Sequence, residues 1–237
     1  MSRNSKALLG FFALDIRLSV LIFCSIFLAS MIPLVAISSS TSGQVVISSS
    51  MAVAIFCAIS GFVITKETFP FSIRMGSTRH EYVLSVLIFS VLLASFMSGL
   101  NLGFLLFSEW FANLAGLDNI SLLVLSDLLT SHVSWYTQFG FDFMLFLLVF
   151  ILGFFLSAVF HRFGMIGGLI TIAFVFIAMF VTTIRTVVID LLIVTERTAD
   201  SLDVSINNLG ILGITIVLAA LIWIILKNAS ITPGVMR

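Results

Sequence analysis

What most limits the fold of this chain is a succession of apolar runs, each as long as a bilayer is thick. Residues 18–36, 45–65, 82–107, 139–160, 165–194 and 209–226 carry little or no charge. About 20 apolar residues suffice for a helix to cross the hydrocarbon layer. Lipid offers the backbone no hydrogen-bond partner but itself, so such runs cross as helices. Only 9% of the 237 residues are charged and 60% are hydrophobic, against about 25% charged in soluble domains. Too little polar surface is left to face water all round. The expected fold is all-α and polytopic: six transmembrane helices in a single domain covering residues 1–237.

The connections set the expected topology. Residues 1–17 are too short to span and end in Asp15 and Arg17, which suits an interfacial helix on the cytoplasmic face. A serine-rich link at 38–44 joins the first two spans. Residues 108–138 contain no Lys or Arg, and their 117–131 stretch reads as one or two short interfacial helices. The run 165–194 is too long for one straight span. The fifth span is expected to end near Thr183, with 184–208 forming a second external segment. Alternate connections hold Arg3, Lys6 and Arg17; Lys66, Arg74 and Arg79; Arg162; and Lys227 with Arg237, nine of the eleven basic residues. The other side holds Arg185 and Arg197. Cytoplasmic loops carry the Lys and Arg excess, so both ends are expected in the cytoplasm.

Several chemistries find no residues here. No GxxxxGK[ST] phosphate loop is present, so the chain is not expected to bind ATP itself, nor to be an enzyme. His80, His132 and His161 are scattered at span ends or in loops, with no metal-ligand spacing, so no metal site is expected. Asp142 falls about one turn inside the fourth span, where it is expected to reach headgroups and water, and no carboxylate is expected in the bundle interior. A net charge of zero offers nucleic acid no basic surface. Cys24 and Cys57 both fall inside spans, so no disulfide framework is indicated.

The most informative stretch is the connection at 66–81. An inter-span turn needs only polarity, yet this one carries Phe69, Pro70, Phe71, Ile73 and Met75 together with Arg74 and Arg79. Exposed aromatics rimmed by charge mark a docking surface. Pro70 suits a first helical turn, Thr68 or Ser77 an N-cap, and Gly76 a break before the next helix. A loop whose aromatics dip into lipid explains the same composition, and both readings stay open on the residues alone.

The pattern FPFSIRMGSTRHEYVLS (69–85) resembles the loop after the second span in permeases of type-two ABC exporters, where a proline-containing turn leads into a Gly-x-x-Arg element and the third span. The resemblance implies a coupling element that docks in a cleft of a separate ATPase subunit. Phe69, Pro70, Phe71, Arg74, Gly76 and Arg79 would be its residues, with ATP and Mg bound on the partner. It also implies a second permease copy, identical or a sister chain, in a bacterial plasma membrane. The long connection at 108–138 departs from the family pattern.

Hydroxyl and small residues recur within the spans. Ser60, Ser95, Ser98 and Asn101 read either as the wall of a weakly polar cavity or as small residues that let helices pack closely. A cavity without fixed charge suits an amphipathic peptide, an antimicrobial compound or a lipid-like molecule. ATP-driven export of such a cargo is the expected function. A membrane immunity or sensor protein that transports nothing is the alternative, and an intramembrane enzyme is disfavoured by the missing chemistry.

Overall fold

The structure is a computed structural model that describes residues 3–40, 45–47, 49–115, 120–122, 135–198 and 201–227. Its helices are α1 (Arg3–Ser40), α2 (Ser49–Arg74), α3 (Arg79–Ala115), α4 (Trp135–Phe180), α5 (Thr182–Leu192) and α6 (Asn208–Lys227). Short strands lie in the connections. β1 (Val45–Ile47) pairs in parallel with β2 (Ile120–Leu122), and β3 (Ile193–Thr198) forms a hairpin with β4 (Ser201–Ile206). Five helices contain segments long and apolar enough to cross a membrane: Lys6–Ser30, Ser49–Arg74, Arg79–Ser108, Trp135–Phe180 and Asn208–Lys227.

At 46 residues, α4 would measure about 69 Å if straight, over twice the hydrocarbon thickness of about 30 Å. It is not straight. Gly164 adopts φ 72° and ψ −171°, a conformation that side chains disfavour and glycine tolerates. The chain folds back there: a Cβ on Gly168 would run into the ring of Phe160, and one on Gly167 into the side chain of Phe163. Residues 135–163 and 165–180 therefore form two arms. The sequence expectation of separate fourth and fifth apolar segments corresponds to these arms, and the expected bend near Thr183 falls where α5 begins.

Side-chain contacts fix the relative directions of the helices. Phe12 of α1 meets Tyr82 and Phe89 of α3, and Phe27 meets Phe104, so α1 and α3 run the same way. Ser50 and Ile64 of α2 bond to Asn101 and Tyr82 of α3, which makes α2 antiparallel to α3. The first arm of α4 follows α2, with Asp142 at the Ser50 end and His161 at the Phe69 end. Arg79, Arg162 and the end of α6 gather at one end of the bundle.

The tightest packing is where α2 crosses α4. A Cβ on Gly61 would strike the carbonyl of Phe150, and one on Gly153 the carbonyl of Ala58. Each glycine lets the opposite backbone occupy its missing side chain, the way small residues bring membrane helices together. Around this crossing lie Val53, Cys57, Phe146, Phe150 and Phe154, with Phe12, Phe69, Tyr82 and Phe89 extending the core towards α1 and α3. The outward surface is apolar as well: Leu14, Leu92, Phe174, Phe180 and Leu209 point away from the bundle. A soluble protein of this size covers most such side chains, whereas a lipid-facing one has no reason to.

Two sequence expectations need correction. The segment 1–17 is not a separate interfacial helix. With no proline before Pro33 and no polar break, α1 runs on from Arg3, and Leu8 and Phe12 are buried against the bundle. Nor is 66–81 a long loop, since α2 continues through Pro70 to Arg74 and α3 begins at Arg79. Of the 117–131 stretch, residues 120–122 are strand and the rest lies outside the described residues.

Replacing Gly61 or Gly153 by Val should drive α2 and α4 apart and cost about 1–3 kcal/mol, the range for overpacked cores. Gly103→Ala, where an added Cβ meets nothing within 4 Å, should be neutral. Unfolding of the purified variants in mild detergent checks both.

Candidate functional site

The turn between α2 and α3 is built from two interlocking caps. Gly76 has φ 85°, and its N–H donates to the carbonyl of Ile73 (3.1 Å) while that of Ser77 donates to the carbonyl of Ser72 (3.2 Å). This pair of bonds is the Schellman arrangement that ends helices on a left-handed glycine. Two residues later Thr78 opens α3. The Glu81 N–H donates to Thr78 Oγ1 (3.2 Å) and the Thr78 N–H donates to Glu81 Oε2 (3.1 Å), a reciprocal capping box. Thr78-Arg79-His80-Glu81 is thus the cap. Thr68 does not serve as one, because its hydroxyl donates within α2 to the carbonyl of Ile64.

Of the six residues expected on the docking surface, the structure exposes three, half-buries two and withdraws one. Phe71 (45% exposed), Arg74 and Gly76 are open, beside Met75 at 71% exposed. Phe71 also stacks on Phe11 of α1, with ring centroids 5.1 Å apart. Pro70 and Arg79 are half-buried. Phe69 is fully buried, edge-on to Tyr82 (5.1 Å) and His161 (4.9 Å). It is a core residue and not an exposed anchor, because α2 extends past it and turns that face inward. Tyr82 OH in turn donates to the Ile64 carbonyl (3.0 Å), so this end of α2 is tied to α3 and α4.

Arg79 and Arg162 share a task that sequence reasoning missed. The last carbonyls of a helix have no intrahelical donors. At the end of α6, Arg79 donates to the carbonyl of Lys227, and Arg162 to those of Ile224 (3.3 Å) and Ile225 (3.1 Å). Two guanidinium groups from two turns therefore satisfy α6 where its dipole favours positive charge.

The four candidate cavity residues do not line one space. Ser60 faces a crevice between α1 and α2, and its hydroxyl donates to the Phe56 carbonyl (2.8 Å). Ser95 is exposed on the outer surface. Ser98 donates to the Phe139 carbonyl (2.8 Å), pinning α3 to the start of α4. Asn101 is buried, and its Nδ2 donates to Asp142 Oδ2 (2.6 Å) and to Ser50 Oγ (3.0 Å). Asp142 does not reach water or headgroups, as its position near a span end had suggested. It is fully buried, because α3 lies over it. Asn101 Oδ1, Asp142 Oδ1 and Ser49 Oγ are buried with no hydrogen-bond partner among the described residues.

The fold and these sites define a helical bundle suited to a membrane, with an arginine-clasped end carrying a capped, partly apolar turn and a polar cluster near the other end. Comparison with protein-family models, with curated proteins and with solved structures finds no match.

Asn101→Leu should cost at least about 2 kcal/mol, since it strands a buried carboxylate, whereas Asn101→Leu with Asp142→Leu should regain most of that loss. Removing one partner leaves the other unsatisfied, while replacing both by apolar groups is nearly neutral. A double-mutant cycle on detergent unfolding free energies reads the difference.

Proposed function

We propose that the chain is the membrane subunit of an ATP-driven exporter of the type-two ABC class, with six spans and both ends in the cytoplasm. The observation that carries the reading is the end of α2 and its turn into α3, where Phe71, Arg74 and Met75 stand exposed beside the Gly76 and Thr78–Glu81 caps. Lipid alone would not call for two caps and two arginines at one end. The break at Gly164, which parts 135–163 from 165–180 within α4, supports reading six spans where five helices are long and apolar enough to cross. ATP and Mg would bind a separate ATPase subunit seated on the turn. A second permease copy would complete the pathway for an amphipathic peptide, antimicrobial compound or lipid-like cargo, outward across a bacterial plasma membrane. The second reading, a non-transporting immunity or sensor protein, is favoured by the scattered placement of Ser60, Ser95, Ser98 and Asn101, which form no common cavity.

In a variant lacking Cys24 and Cys57, Cys at Met75 should react with an impermeant maleimide only from the cytoplasmic side, and Cys at Trp135 (73% exposed) only from outside. Reaction of Met75→Cys from outside overturns the topology.

Purification from native membranes should bring down an ATPase that carries a phosphate loop. Phe71→Ala and Arg74→Glu should each weaken its binding, by about thirtyfold if either is an interface hot spot worth about 2 kcal/mol, without loss of fold. Arg79→Glu should instead destabilise the permease, because it uncaps α6. Wild-type ATPase binding and activity in both Phe71→Ala and Arg74→Glu would remove the coupling assignment and leave the non-transporting reading.

A further inference from the structure

Asp15 is the charge in this bundle with the least obvious reason to be where it is. Phe12 and Phe89 are in ring contact (5.5 Å), and Asp15 shares a crevice with both. Phe89 lies ten residues past Arg79 along α3, about 15 Å from the arginine-clasped end, which is half the hydrocarbon thickness of about 30 Å. A lysine or arginine at that depth can reach the interface along its stem, but an aspartate has a single methylene and cannot. Ionisable side chains inside a membrane are costly and are held by a partner or a water-filled space. Among the described residues Asp15 has neither ion-pair nor hydrogen-bond partner. Arg17, two positions on, borders a different groove against Leu92 and Phe96 of α3, since residues two apart on a helix do not face each other.

The crevice between α1, α2 and α3 has a volume of about 180 Å³ and is lined by Phe12, Asp15, Ser19, Phe56, Ser60 and Phe89, among others. One carboxylate, two hydroxyls and three aromatic rings are the groups that recognise an organic cation: the carboxylate answers the charge, the hydroxyls accept N–H donors, and ring faces attract cations. Drug-sized ligands occupy pockets of about 300 Å³ and more, so this one takes a head group. Asp15 is exposed at the outer surface of the bundle, so an attached apolar body remains in lipid. We infer that this crevice binds the ammonium group of a cationic amphiphile entering sideways from the bilayer. The site goes beyond the exporter reading and stands or falls separately from it, because binding requires neither ATP nor a partner subunit.

The test uses the full chain in nanodiscs of neutral phosphatidylcholine, titrated with dansylcadaverine, a primary ammonium on an aromatic body whose fluorescence reports its surroundings. Saturable binding is expected for the wild type. Asp15→Asn should weaken it at least about tenfold, as losing a charge-assisted hydrogen bond implies, and Asp15→Glu should retain it. N-acetylated dansylcadaverine, which is neutral, should show only partition into lipid. Should Asp15→Asn fail to fold, Ser60→Leu fills the crevice and is expected to abolish binding equally. Asp142→Asn, at the other end of the bundle, should bind as the wild type does. Equal binding of the neutral analogue, or undiminished binding in both Asp15→Asn and Ser60→Leu, overturns the assignment. So does absence of probe binding together with a shift from dimer to monomer in Asp15→Asn, which would make the cation a residue of a second copy.

Discussion

The bundle depends on the crossing of α2 and α4 at Gly61 and Gly153. In lipid, helices gain nothing by hiding apolar side chains from one another, so close backbone approach and interhelical hydrogen bonds must hold them. At this crossing each helix lays a carbonyl where the other lacks a side chain. Once α2 and the first arm of α4 are fixed, α3 closes over them through Tyr82, Ser98 and Asn101. Helices α1 and α6 then add to the flanks. Helix α5, with no buried residue, depends least on the crossing.

The two ends of the bundle are held by different chemistry. At one, guanidinium groups and helix caps satisfy backbone groups that would otherwise face the interface unpaired. At the other, a carboxamide joins a carboxylate and a hydroxyl deep among apolar neighbours. Charge near the surface is adaptable, while a buried polar cluster admits few arrangements, so the second end fixes register more strictly than the first. Between the two, at the level of Phe89, lies Asp15, a carboxylate that neither end accounts for.

The helical, membrane-length character of the chain was legible because hydrophobic runs are a one-dimensional signal. Run length marked the apolar segments, and Gly76 was readable as a helix end because few other residues tolerate a left-handed cap. Continuity was harder to read. Pro70 reads as a helix start, yet it continues α2, since a helix already anchored by Phe69 in the core tolerates one lost backbone bond. The Thr78–Glu81 box stands in the letters beside Thr68 and Ser77, and only the reciprocal bonds of Thr78 and Glu81 tell the three apart. The burial of Asp142 was not legible at all, because it depends on Asn101, 41 residues away, arriving on a different helix. Asp15 reads as one of two charges near the start of an apolar run, and only the pairing of Phe12 with Phe89 shows which part of α3 it lies beside.

The burial of Phe69 has a mechanical consequence. Its ring is wedged between Tyr82 of α3 and His161 of α4, six residues before the exposed Met75 on the same helix end. Within the intervening turn the Ser72 hydroxyl donates to the Thr68 carbonyl (2.6 Å). A push on the tip of the turn bears on this ring, because Phe69 and the tip share one end of α2. It passes as a displacement of one ring against two others, and so into three helices at once. The tip and the interior thus behave as the two arms of a short lever, with its fulcrum at the buried phenylalanine.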